Sequence, residues 1–384
     1  MNAPRVPSTA SASPTAAPAA APTTTTARST GPAPAAATGS ATALATAAAP
    51  AAASALVVSG LTVRFAVPGA QRWLQAVDDV SFRIDRGETL GVVGESGSGK
   101  STIARALLRL VPVAAGSARF RNVDLLALEG ARLRDMREHL QIIFQDPLAS
   151  LDPRMTIGAI LEESLREFRP ALDRAARRVQ VLAMLQRVGL LPEHANRFAH
   201  EFSGGQAQRI GIARALMLEP ELVVCDEPIS ALDVSIKSQI ANLLKDLQLA
   251  FGLSVLFIAH DLAAVRYQCD RILVLYLGRV METASRVALF ETPRHPYTRA
   301  LLEAVPIADP VRARARRAPP LSGEIPSPLA PPSGCVFRTR CPIAASICAA
   351  EVPRLRPVGA SLVACHRAEE LQPARDCGSA QEPV

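Results

Sequence analysis

The run Gly94-Glu95-Ser96-Gly97-Ser98-Gly99-Lys100-Ser101-Thr102 has the residue types and spacing to hold a polyphosphate. Its glycines let successive backbone N–H groups face one anion, and a helix opening at Lys100 adds partial positive charge. Lys100 has the reach for β- and γ-phosphates, and the Ser101 hydroxyl can bind magnesium. The run follows the apolar TLGVV and precedes the helical STIARALLRLV, which is the strand-to-helix context this chemistry needs.

A second acid-bearing segment is Leu222-Val223-Val224-Cys225-Asp226-Glu227. Four apolar residues drive a strand through a core and deliver two carboxylates at its carboxyl end, where ligands of open α/β sheets bind. Asp226 is expected to hold magnesium, usually through water. Glu227 is then placed to polarise an attacking water, which needs a carboxylate beside the γ-phosphate that the metal does not consume.

Between these motifs stands Phe202-Ser203-Gly204-Gly205-Gln206, opening the helix QRIGIARAL. It resembles the signature sequence of ABC ATPases, with Phe202 in the usual leucine position. The resemblance implies a P-loop ABC cassette: a parallel-sheet core, an antiparallel β subdomain and a helical subdomain carrying the signature. It also implies that Ser203, Gly204, Gly205 and Gln206 contact ATP held by a partner cassette, so that two cassettes must meet to hydrolyse. Three further positions fit the family in order. Gln145 in IIFQDP resembles the loop glutamine, a magnesium and water sensor; Ser230-Ala231-Leu232-Asp233 resembles the D-loop, with Asp233 at the nucleotide; and His260 after VLFIA resembles the switch histidine. For stacking on adenine the family uses an aromatic residue in the first β segment, where Phe65 stands, with Trp73 as the rival.

The flank Phe144-Gln145-Asp146-Pro147-Leu148-Ala149-Ser150-Leu151-Asp152-Pro153-Arg154 and the later His295-Pro296-Tyr297-Thr298 narrow the likeness. Both resemble the peptide and nickel importer subfamily, in its second ATPase type, over roughly residues 56 to 370. That implies a peripheral subunit on the cytoplasmic face of the inner membrane, paired with a sister ATPase as a heterodimer. Its other partners are two integral-membrane permease subunits and an extracytoplasmic binding protein. The expected cargo is oligopeptide or dipeptide, with nickel or glutathione as alternatives. A soluble ABC ATPase acting on nucleic acid or ribosomes is the rival of a different class. Only about a hundred residues separate Lys100 from Ser203, too few for the long coiled coil of the repair types, and no nucleic acid partner is expected.

Cys335, Cys341, Cys348 and Cys365 form a fourth group, with five, six and sixteen residues between them. Four thiolates in a proline-rich segment can bind zinc or an iron–sulfur cluster and supply folding free energy that a small core lacks. Likeness to peptide-importer ATPases favours a [4Fe–4S] cluster, buried unligated cysteines being the plain alternative.

The elements that must position these groups follow from composition and pattern. Residues 1–54 are almost wholly Ala, Thr, Pro, Ser and Gly and read as a disordered tail. Residues 55–290 alternate β-like and helical runs, an α/β layout with parallel strands. Residues 291–371 read as a smaller C-terminal domain holding the cysteines, and 372–384 as a flexible tail. No stretch has the ~18 apolar residues of a membrane span, and no secretory signal is read at the N-terminus. The net charge of +7 is carried almost wholly by arginine, so a compositional bias accounts for it without an acidic partner.

Overall fold

The computed structural model describes residues 54–67, 69, 72–305 and 323–371. The tails expected at 1–54 and 372–384 lie outside the described residues, but for Ser54.

Two sheets organise the fold. In the first, β1 (Ser54–Ala66), β2 (Trp73–Asp85), β4 (Ala115–Phe120) and β5 (Val123–Asp124) form an antiparallel sheet in the order β2-β1-β4-β5. The second contains β3 (Thr89–Val93), β6 (Leu140–Ile143), β7 (Leu222–Asp226), β8 (Ser254–Ile258), β9 (Arg271–Tyr276), β10 (Arg279–Ser285), β11 (Arg356–Val358) and β12 (Ser361–Val363). Its order is β11-β12-β10-β9-β3-β8-β7-β6, parallel from β9 through β6 and antiparallel beyond β9.

The central strands β3, β7 and β8 are buried at every position and mostly apolar because both faces are covered. In β7, Val223 and Cys225 enter one core while Leu222 and Val224 enter another; in β8, Val255 and Phe257 part from Leu256 and Ile258 in the same way. The second core lies toward α1 (Lys100–Leu107) and the antiparallel sheet, and includes Ile103, Leu107, Leu56 and Val77. The first takes in α3 (Ile157–Phe168), α4 (Arg174–Arg187) and α5 (Gly204–Leu216), through Leu161, Leu185 and Ile210. Fully burying such a side chain contributes roughly 1.5–3 kcal/mol, so the period-two split ties both layers to one sheet.

Local chemistry sets the helix starts. Thr156 caps α3 by accepting from Ala159 N–H, and Asp173 caps α4 by accepting from Ala176 N–H. The remaining helices are α2 (Gly130–His139), α6 (Val234–Phe251), α7 (Leu262–Gln268), α8 (Arg286–Glu291), α9 (Pro296–Glu303) and α10 (Ser346–Ala350).

The segment read as a C-terminal domain from residue 291 shares the cassette's sheet and core. The β11–β12 hairpin pairs with β10, placing Ser361 opposite Ala284, and Tyr297, Phe337, Cys335 and Cys348 belong to the first core.

Candidate active site

Parallel strands in the order β3-β8-β7-β6 bring four chain segments to the carboxyl edge of the sheet: residues 94–102 after β3, His260 after β8, Asp226 and Glu227 at β7, and Gln145 after β6.

Close packing shapes the glycine loop. A Cβ on Gly94 would lie 2.1 Å from the Leu275 carbonyl oxygen, and one on Gly99 2.3 Å from that of Ala76. Gly99 is also left-handed (φ 101°) as it opens α1, so only glycine fits. Ser96 and Gly97 are exposed, Ser101 and Thr102 half-buried, and Ser98 is buried with its hydroxyl unpartnered. Lys100 is nearly buried, and its Nζ donates to the Gly94 and Glu95 carbonyls at 2.9 Å each. Burial lowers its pKa against the pull of Glu227, Asp226 and Glu95.

Ser101 Oγ donates to Asp226 Oδ1 at 2.8 Å, which puts two hard oxygen ligands side by side at the loop. Burial raises the Asp226 pKa, opposed by the Ser101 hydrogen bond and by Arg105 and Lys100. The next residue, Glu227, is left-handed at φ 51°. Its Oε2 accepts from Gln145 Nε2 at 3.2 Å and lies 3.1 Å from His260 Nδ1. The structure therefore unites Ser101 with Asp226, and Gln145 with Glu227 and His260. Gln145, expected as a magnesium ligand, is held by Glu227 rather than by the Ser101–Asp226 pair.

The segment Ser203–Gln206 bonds within itself. Ser203 Oγ accepts from Gln206 N–H at 3.4 Å and Gln206 Oε1 from Ser203 N–H at 3.1 Å, a reciprocal cap on α5. Ser203 and Gly204 face solvent, and Gly205 backs onto Ile236 so closely that a Cβ would lie 2.6 Å from its Cγ2. Asp233 is exposed at the start of α6, followed by Val234 at 81% exposure. Among the described residues no hydrogen bond links this surface to residues 94–102 of the same chain.

Of the two aromatic candidates, Phe65 is half-buried against the second core, whereas Trp73, opposite Ala66 on β2, is 64% exposed. The four C-terminal cysteines are free thiols; Cys335, Cys348 and Cys365 are buried and Cys341 half-buried. Among the described residues no group of three or more His, Cys, Asp or Glu converges on a position for a single ion.

A family described as ABC transporter matches residues 77–230, and one described as oligopeptide/dipeptide transporter, C-terminal region, matches residues 281–348. The chain is 52% identical over 323 residues to the oligopeptide transport ATP-binding protein OppF of Salmonella typhimurium, covering 82% of this chain and 97% of that one. It belongs to the oligopeptide ABC-transporter ATPases. OppF of Escherichia coli is 51% identical over the same share of each chain. The dimeric post-hydrolysis structure of the ATP-binding cassette MJ0796 bound to ADP and Pi superposes with a TM-score of 0.56 at 29% identity, covering 60% of this chain and 98% of that one. The fold is thus that of an ABC cassette, and the chain is an ATPase, with ATP as its substrate and magnesium the metal its family implies. No helix among the described residues is long and apolar enough to cross a membrane.

In this ABC ATPase Glu95, one of the loop residues expected to hold phosphate, is also engaged by residues far downstream. Its N–H donates to Tyr297 Oη at 2.9 Å and its carboxylate binds the Arg340 guanidinium. Arg340 carried no sequence signal, standing 245 residues from Glu95. Tyr297 lay within a recognised motif, and its role is visible only in three dimensions. His295 caps α9, its Nδ1 accepting from Tyr297 N–H at 3.0 Å, while Glu282 takes the Arg294 and His295 N–H groups at 2.9 Å each. The HPYT motif thus presents Tyr297 to the glycine loop.

Proposed function

We propose that this ATPase powers import of oligopeptides or dipeptides, from the cytoplasmic face of the inner membrane, with a sister ATPase, two permease subunits and an extracytoplasmic binding protein. The observation that carries this reading is the likeness to OppF over 97% of its length, including the C-terminal region beyond the cassette.

The residues present suit ATP and magnesium: nine consecutive loop residues that include the Lys100 ammonium, and the paired oxygens of Ser101 and Asp226. Magnesium supplies charge neutralisation at the phosphates. Lys100 leaves two backbone carbonyls to meet the β- and γ-phosphates. Glu227 takes the proton of the attacking water, and His260 and Gln145, both at its Oε2, hold that carboxylate in line. Phe65 is the residue proposed to stack on adenine. Ser203, Gly204, Gly205, Gln206 and Asp233 line the surface that would meet the ATP of the sister cassette, where the α5 N-terminus offers free N–H groups. Closure of the pair moves the permease helices through the Gln145 loop, and hydrolysis resets it.

For the C-terminal thiols a [4Fe–4S] cluster is the favoured occupant. Burial, opposed by the hydrogen bond from Arg367 N–H and aided by the neighbouring sulfurs of Cys341, Cys335 and Cys348, raises the Cys365 pKa to about 11. Four soft thiol ligands within one short segment match in number the four irons of such a cluster.

The test is ATPase activity and peptide uptake by the complex reconstituted in vesicles with and without binding protein and peptide, comparing wild type with Glu227→Gln. Peptide-stimulated hydrolysis that Glu227→Gln removes supports the importer. Stimulation by nickel chelates or glutathione alone, or by DNA or ribosomes without the membrane partners, overturns it.

A further inference from the structure

Glu95 is the second residue of the glycine loop, and the loop's own motif does nothing to fix its side chain. Residues far downstream do. Arg340 Nη1 donates to Glu95 Oε2 at 2.6 Å and Nη2 to Oε1 at 3.0 Å, a two-pronged bond. The Arg340 side chain is only 5% exposed, and its Nε finds no partner. Nη1 also reaches Tyr276 Oη at 3.4 Å. Tyr297 Oη takes the Glu95 N–H, and the rings of Tyr276, Tyr297 and Phe337 pack together at centroid distances of 4.8 to 5.3 Å.

The other side of Glu95 faces the phosphate lysine. Its carbonyl accepts from Lys100 Nζ at 2.9 Å and from Ser98 N–H at 3.2 Å. Glu95 is therefore gripped by the C-terminal segment at its N–H and carboxylate, and by the loop at its carbonyl. A nearly buried charge pair is worth little as stability and leaves a large penalty when one partner is removed. It is a device for fixing geometry, and the geometry it fixes is that of the carbonyls on which Lys100 rests.

We propose that Arg340 is a positioning residue for ATP binding. Through Glu95, and with Tyr297 beside it, Arg340 holds the loop still while Lys100 transfers from the loop carbonyls to the phosphates. The proposal rests on reading residues 94–102 as the phosphate loop. The rigidity comes from the thiol-bearing segment, since Arg340 precedes Cys341 and its N–H bonds to the carbonyl of Phe337.

The test measures KM for ATP and kcat on the full-length chain in its reconstituted complex. Arg340→Gln and Glu95→Gln should each raise KM about tenfold, as expected for losing a charge-assisted pair, with kcat changed far less. The double variant should be no worse than the worse single one. Arg340→Lys should recover only part, because an ammonium cannot make the fork. Tyr297→Phe keeps the ring packing and should raise KM about fivefold, the scale of one neutral hydrogen bond. An unchanged KM in Arg340→Gln and Tyr297→Phe, or additive effects in the double variant, would overturn the proposal. If Arg340→Gln fails to fold, Tyr297→Phe decides alone, an unchanged KM sinking the idea. Lys100→Ala separates the two readings: if ATP still binds normally to it, the phosphate-loop assignment fails whatever Arg340 does.

Discussion

Ser101 Oγ and Asp226 Oδ1 stand 2.8 Å apart across 125 residues of sequence, joining the first turn of α1 to the end of β7. Asp226 is 4% exposed and its pKa is raised by that burial. A carboxyl raised on folding contributes stability at pH below the ordinary carboxylate range, and the contribution is lost as pH rises through the raised value. Asp226→Asn should therefore raise the metal-free Tm at neutral pH, while hydrolysis falls on the order of 10²–10³-fold with the lost metal ligand. Melting curves from pH 4 to 8 beside magnesium-dependent turnover check both halves; a lowered neutral Tm would contradict the first.

Glu227 combines the carboxylate proposed as general base with a left-handed backbone, φ 51°. Glu227→Gln should cut hydrolysis by roughly 10²–10⁴-fold, the range for general-base loss, while ATP still binds. Glu227→Gly should be equally inactive but more stable by about 1 kcal/mol, because glycine carries no steric penalty in that conformation. Denaturant titration of the two variants distinguishes strain relief from loss of the side chain.

Ser203 caps α5, and the proposed function also sets it on the surface toward a sister cassette. Ser203→Ala should lose about 1 kcal/mol of stability, the usual worth of a cap. Ser203→Asp keeps a capping oxygen but sets a negative charge where the γ-phosphate of the other subunit belongs. Its Tm should return to that of wild type while ATPase activity of the assembled complex stays low. Recovery of both would mean that Ser203 serves the helix alone.

Burial lowers the His295 pKa from 6.5 to about 3, so the folded chain holds the ring neutral. The sign follows: stability from this group is present above pH 6.5 and is lost as pH falls from there toward 3. His295→Asn, which retains an acceptor for the Tyr297 N–H, should flatten the fall of Tm over that window relative to wild type. Parallel slopes for the two proteins would show that other groups set the acid limit.

The parts of the site legible in the sequence are those written in short contiguous runs. Gly94–Thr102 and Leu222–Glu227 declare themselves because an apolar strand and its terminal ligands are neighbours in the chain, and the strand order then brings Gln145 and His260 to the same edge. What stayed hidden pairs side chains from distant segments. Glu95 with Arg340, and Glu282 with the backbone of Arg294 and His295, leave no periodicity and no spacing rule, because each depends on how the β10 edge and the C-terminal segment dock. The cysteines show the limit from the other side: their spacing announces proximity, but not that Cys335 and Cys348 join the first core with Phe337 while Cys365 sits in a separate cluster with Val358 and Val363.

The bond from Arg340 to Glu95 also has a meaning in the order of synthesis. Every ATP motif has been synthesised once His260 is added, yet the guanidinium that steadies the loop comes eighty residues later. A nascent or prematurely terminated chain would carry the full set of motifs without the grip on Glu95. Such fragments would bind ATP more weakly than the finished chain, so a chain cut before Arg340 would hydrolyse less at a given low ATP concentration.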